Sequence, residues 1–176
     1  MALKSSADRY GNVAIAIHWV SAIALIMLYV AGLMADEAAE AARAPILRVH
    51  VVLGVIVVVL TLLRIVWWAV ADKRPQPLPG EPGWRRMTAR LTHLALYAVI
   101  LVMAASGIAT LVLSGAIPAL MSGTPLPTFD GLAPRMVHGL LANVIVALVV
   151  LHTAAALYHQ FVIRDRLLAR MGIGSP

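Results

Sequence analysis

Apolar positions fall in four long blocks, at about 13–34, 46–70, 89–113 and 135–163, and polar positions gather between them. Each block is long enough for a helix to cross a hydrocarbon layer about 30 Å thick. The pattern predicts an all-α membrane protein: a bundle of four transmembrane helices forming one domain over residues 1–176. The first block is too long for the apolar core of a secretory leader and, with Met1 still ahead of it, is expected to be a span. Between the blocks, Asp36–Arg43 reads as a short loop rich in Ala and acidic residues. Pro75, Pro77, Pro79 and Pro82 make 72–84 an extended linker. The stretch 114–134 reads as a Gly- and Pro-rich loop, with a half-buried segment near Ile117–Met121.

Composition agrees with a chain that is nearly all membrane, since 61% of residues are hydrophobic and 12% charged. No soluble catalytic module fits beside the four spans. Cysteine is absent, which excludes disulfides, iron–sulfur clusters and thiolate ligands. The formal charge of +6 could suggest nucleic acid, but its distribution is a topology signal. Lys4, Arg9, Arg64, Lys73, Arg74, Arg85, Arg86, Arg90, Arg164, Arg166 and Arg170 fall to one side, and only Arg43, Arg48 and Arg135 to the other. This positive-inside bias places both termini in the cytoplasm, and no nucleic-acid partner is expected. Trp67 and Trp68 stand where an interfacial aromatic belt is expected.

The candidate chemistry lies in histidines inside the apolar blocks. His138 and His152 are fourteen residues apart, which on a helix puts them on nearly one face and about 21 Å apart along the axis. The same step separates His18 from Gly32, His50 from Arg64 and His93 from Gly107. Two depths result, an inner one with His18, Arg64, His93 and His152 and an outer one with Gly32, His50, Gly107 and His138. Pairing His18 with His152, and His50 with His138, gives two bis-imidazole sites one above the other. Four-helix bundles build cofactor sites from facing side chains in this way. Haem iron takes two axial imidazoles, and Gly32, Gly54, Gly107 and Gly139 are candidates for the clearance that a flat macrocycle needs. Arg64 is a natural partner for an anionic propionate. The bland readings are interhelical hydrogen bonding for any one histidine, small-residue packing for the glycines and snorkelling for Arg64. A bare ion or a proton-coupled transporter would be expected to recruit carboxylates, and no Asp or Glu lies inside the blocks.

The chain resembles the bacterial cytochrome b561 family, the short four-helix di-haem type, over nearly its whole length. The resemblance rests on Ile17-His18-Trp19, His50 with Gly54 and Arg64, His93-x3-Tyr97, and His138 with Ala142-Asn143. It continues through Leu151-His152-x-Ala154-Ala155-Ala156-Leu157-x-His159 and Asp165-x-x-Leu168-x-Arg170-Met171. It implies that His18 and His152 ligate a cytoplasmic-side haem b and that His50 and His138 ligate a periplasmic-side one. It implies a multi-pass protein of the bacterial inner membrane that exchanges electrons with ubiquinone or another quinone. One branch of the family is similar to a superoxide oxidase, and other relatives serve as cytochrome b subunits of hydrogenases and dehydrogenases.

With both axial positions taken, electron transfer at such haems is outer-sphere. His159 and His93, extra histidines on the inner half, are the candidate quinone contacts. At the outer mouth, Arg43, Arg48 and Arg135 face Asp36, Glu37, Glu40 and Asp130, a local sum of −1, although Arg43 and Arg48 could form a basic patch beside His50. The expected function is a di-haem b oxidoreductase of the superoxide:quinone type, moving electrons from a periplasmic donor, superoxide foremost, to the quinone pool. The alternatives are a cytochrome b electron-transfer subunit serving a soluble dehydrogenase or hydrogenase, and a haem-free histidine-lined transporter or scaffold.

Overall fold

The structure is a computed structural model describing residues 2–78 and 80–174, so Pro79 of the proline-rich linker lies outside the described residues. Its helices are α1 (Asn12–Glu37), α2 (Glu40–Val66), α3 (Gly83–Leu113), α4 (Ala116–Ser122), α5 (Ala133–Tyr158) and α6 (Leu167–Arg170). Helix α2 runs on through a π-helical turn, Trp67–Ala71, and α5 through another, His159–Ile163. No strand occurs among the described residues. Four of the helices are long and apolar enough to cross a membrane, with mean hydropathy of 2.3 to 2.7 over their most apolar stretches.

The helices outrun the apolar blocks. The predicted loop Asp36–Arg43 shrinks to Ala38 and Ala39, because alanine and glutamate favour helix whatever their polarity. Helix α2 therefore begins at Glu40 and carries Pro45 in its interior, where one backbone hydrogen bond is forfeited. Helix α3 starts at Gly83, just after Pro82, and takes Arg85, Arg86 and Arg90 onto its first turns. The half-buried segment predicted near Ile117–Met121 is α4, with Ala116 and Leu120 buried and left-handed glycines, Gly115 and Gly123, at its two ends.

Two hairpins make the bundle, α1 packed along α2 and α3 along α5, with α4 wedged against α2 and α3. Besides Val57, Leu120 and Ile145, the buried positions are mostly small: Ala14, Ala24, Ala31 and Ala35 on α1, Thr61 on α2, Ser106 and Thr110 on α3. Small residues let membrane helices approach closely without a large apolar core. Large side chains such as Ile26, Val55, Ile108 and Leu140 face outward, as a lipid-facing surface requires.

The N-terminal segment, the α2–α3 linker and the C-terminal tail meet at one end of the bundle, here the terminal end. Ser5 donates its backbone N–H and its hydroxyl to Asp72, the latter at 2.8 Å, and Trp67 Nε1 donates to the same carboxylate at 3.2 Å. Arg170 donates to the carbonyls of Asp8 at 3.0 Å and Gln76 at 2.7 Å, and Trp19 Nε1 to that of Met171 at 3.0 Å. Trp67 is thus tied into this network. The opposite end, the loop end, carries the α1–α2 turn and the stretch after α4.

Candidate functional site

At the loop end, the ring of His50 on α2 faces that of His138 on α5, with centroids 6.0 Å apart and planes at 69°. His50 Nδ1 donates to the Leu28 carbonyl on α1 at 2.9 Å. His138 Nδ1 donates to the Met103 carbonyl on α3 at 2.9 Å, and Ser106 Oγ lies 3.2 Å from the same nitrogen. Placing the proton on Nδ1 leaves Nε2 as the basic nitrogen of each ring, the tautomer a metal ligand needs. One turn beyond each accepting carbonyl is a glycine. A Cβ on Gly32 would lie 3.1 Å from the His50 ring, and one on Gly107 would lie 3.2 Å from the His138 ring. These two glycines thus leave room for the imidazoles. Gly54 and Gly139 differ, since a Cβ there would meet Leu28 at 3.8 Å or Arg135 at 3.2 Å.

At the terminal end, His18 on α1 and His152 on α5 stand 6.1 Å apart between centroids at 67°, nearly repeating the first pair. His93 on α3 adds a third ring, 5.2 Å from that of His152, with its Nδ1 donating to the Ala89 carbonyl at 2.7 Å. Arg64 on α2 donates from Nη1 to His18 Nδ1 at 2.9 Å, because a guanidinium has no acceptor. Its Nε is buried without a partner. A half-buried cation with an orphaned Nε suits an anion, and an anionic group within the bundle would draw Arg64 off His18 and free that ring's Nδ1.

Both pairs therefore fit haem. A centroid separation near 6 Å accommodates two metal–nitrogen bonds of about 2 Å each, end to end between facing imidazoles. No group of three or more His, Cys, Asp or Glu among the described residues is arranged to hold a bare ion.

His159 lies seven residues beyond His152, where α5 continues. It opens the second π turn and is bound through Nδ1 to Asp165, a partner that the sequence left unseen because Asp165 lies past the apolar block. Arg43 and Arg48, the candidates for a basic patch, both hold backbone carbonyls. Arg43 donates to the Ala35 and Asp36 carbonyls at the end of α1, and Arg48 to the Leu120 carbonyl at the end of α4. Both are helix C-terminal caps. Arg135 pairs with Asp36 at 2.8 Å.

The four-span fold and the paired histidines fit one class of protein, the membrane cytochromes b, which carry electrons on haem b. The sequence model of the prokaryotic cytochrome b561 family matches residues 9–174, and the chain belongs to that family. Among its relatives, "Cytochrome b561 homolog 2" of Escherichia coli (strain K12) is 29% identical, over 97% of this chain and 95% of that one. "Cytochrome b562" of Cereibacter sphaeroides is 31% identical over 92% and 94%, and "Cytochrome b561 homolog 1" of E. coli is 27% identical over 93% and 97%.

Proposed function

We propose that the protein is a di-haem b oxidoreductase of the bacterial inner membrane, moving electrons from a periplasmic donor at the loop end to quinone at the terminal end. The observation that carries this reading is the repetition of one bis-histidine geometry at two depths, His50–His138 and His18–His152. Bound haem supplies a one-electron iron centre. The chain supplies the rest. Hydrogen bonds from Nδ1 to the Leu28 and Met103 carbonyls fix the loop-end rings and raise their basicity as ligands. Arg64 holds positive charge beside the terminal-end pair, which favours the reduced state there and draws electrons from the loop end toward the terminal end.

The side assignments rest on charge. The terminal end gathers eleven of the fourteen Lys and Arg, which by the positive-inside rule makes it cytoplasmic. Superoxide is the leading donor: two superoxide anions release two electrons and leave as dioxygen, while one quinone takes up those electrons with two protons. The ion pair of Arg135 with Asp36 and the loop-end charge sum of −1 weaken the steering of an anion, and this supports the second reading, a cytochrome b subunit reduced by a docked protein. Reduced-minus-oxidised spectra with haem quantification test the core reading, with two haems per chain as the expected result. Superoxide-driven quinone reduction by the purified protein then separates the donors, and its absence leaves the docked-subunit reading.

A further inference from the structure

Helix α5 turns an uncovered seam toward the membrane. Leu140, Asn143, Ala147, Val150, Ala154 and Leu157 are all exposed, and they follow one another at alternating steps of three and four residues. Steps of this kind keep them on one stripe, about 25 Å long at the helical rise. The stripe lies opposite the histidines. Asn143 precedes His152 by about two and a half helical turns, whereas Ile145, the buried residue of α5, precedes it by about two and shares its side. Asn143 is the polar member of the seam. It stands between the depths of His138 and His152, well inside a hydrocarbon layer about 30 Å thick. Its Nδ2 donates to the Gly139 carbonyl of its own helix at a long 3.3 Å, and among the described residues it makes no other hydrogen bond. An amide whose carbonyl oxygen is unbonded is costly in hydrocarbon, and lipid tails offer it no donor.

We propose that this seam is the contact between two copies of the chain, α5 against α5, with Asn143 as its polar link. Copies inserted in one orientation are related by a two-fold axis along the membrane normal, which sets each position beside its own counterpart at the same depth. An amide suits that symmetry because it is donor and acceptor at once. The free N–H of one Asn143 bonds the carbonyl oxygen of the other, and the reverse. The stripe holds no ionisable group that would ask for a partner of opposite charge. Ala147 and Ala154 let the two backbones approach, and the three–four spacing favours a left-handed crossing near about 20°. A single Asn in such a seam also fixes the register of the pair. Both histidine pairs lie on the far side of α5, so the contact leaves them undisturbed.

The chain has no cysteine, so single cysteines report contacts cleanly. In native membranes treated with copper phenanthroline, Leu140→Cys, Ala147→Cys and Val150→Cys should form disulfide-linked dimers. Val55→Cys on α2 and Ile108→Cys on α3, exposed at 59% and 63%, should not. The haem-loaded full chain, labelled with donor and acceptor dyes in phosphatidylcholine vesicles, then gives the dimer dissociation constant by energy transfer as lipid is added. Asn143→Leu should weaken the dimer on the order of 3- to 30-fold, and Asn143→Gln should keep most of the affinity. Ala147→Phe should abolish the dimer by holding the backbones apart, and it serves if Asn143→Leu does not accumulate. Haem spectra should stay unchanged in all three. Control cysteines that cross-link as readily as the seam cysteines would overturn the proposal, as would a monomeric wild-type protein in the vesicles. Association of Asn143→Leu or Ala147→Phe as tight as wild type would overturn it too. Seam cysteines that cross-link only to a different membrane protein would give the face to that protein and refute the dimer.

Discussion

Adding one methyl group at Gly32 or Gly107 tests whether close helix approach sets the loop-end imidazoles. The new Cβ would stand 3.1 Å from the His50 ring or 3.2 Å from the His138 ring. Carbon contacts are comfortable at about 3.5–4.0 Å, so each ring must retreat by about 0.3 Å or more. Neither ring is free to do so, because its Nδ1 is held at 2.9 Å from a carbonyl one turn away on the same neighbouring helix. Retreat stretches that bond toward the edge of good geometry. Overpacking of this kind costs about 1–3 kcal/mol, which weakens the pair's hold on its group on the order of 10- to 100-fold. Gly54→Ala is the matched control, since its Cβ would meet only Leu28 at an ordinary 3.8 Å. Haem content and reduced-minus-oxidised spectra of the three variants are the assay. Gly32→Ala and Gly107→Ala should lose or perturb the loop-end haem and spare the other. If all three variants load both haems with unchanged potentials, the fit between ring and backbone does not orient the ligands.

The two sites should also separate by mutation. His50→Ala and His138→Ala should each remove one haem, and His18→Ala and His152→Ala the other; loss of the same haem from His18→Ala and His50→Ala would refute the pairing. Arg64→Leu removes a half-buried cation and its hydrogen bond to His18, and hydrogen bonds to charged groups are worth about 1.5–3 kcal/mol. It should loosen the terminal-end haem or lower its potential while sparing the loop-end one, and a potentiometric titration reads both. Burial acts to raise the pKa of Asp72, but hydrogen bonds from the Ser5 hydroxyl and N–H, the Lys73 N–H and Trp67 outweigh it and hold the carboxyl below its ordinary value of 3.8. A depressed folded pKa contributes stability above the unfolded value that is lost as pH falls through the folded one. The tie between the N-terminal segment and the end of α2 should therefore loosen only below about pH 4. Asp72→Asn should abolish that acid dependence in proteolysis of residues 2–11.

The spans were legible because bilayer thickness fixes the length of an apolar helix and nothing else in the chain competes with that signal. Their ends were not, because alanine and glutamate at 37–43 carry no hydrophobic pattern yet favour helix, and Pro45 looked like a start rather than an interior residue. The acceptors of Arg43 and Arg48 were invisible for another reason. Those acceptors are backbone carbonyls at helix C-termini, which every sequence has and none advertises. The Asp165–His159 contact needed two left-handed arginines, a conformation that residue type argues against.

The fourteen-residue step has a structural cause. His50 bonds the Leu28 carbonyl and lies against Gly32, four residues on; His138 bonds the Met103 carbonyl and lies against Gly107, again four residues on. Each hairpin thus delivers one imidazole in the same manner, α1 cradling α2's and α3 cradling α5's. His18 and His93 sit fourteen residues before the two glycines, and Arg64 and His152 fourteen residues after the two cradled histidines. The correspondence then breaks at the terminal end. There one hairpin offers His18 with Arg64, and the other His93 with His152, so only one of the two places opposite His18 and His93 carries an imidazole. On the proposed di-haem reading, a symmetric loop-end pair bound to neutral carbonyls and an asymmetric terminal-end group beside a cation should give the two haems unequal potentials. That inequality would give transfer between them a direction.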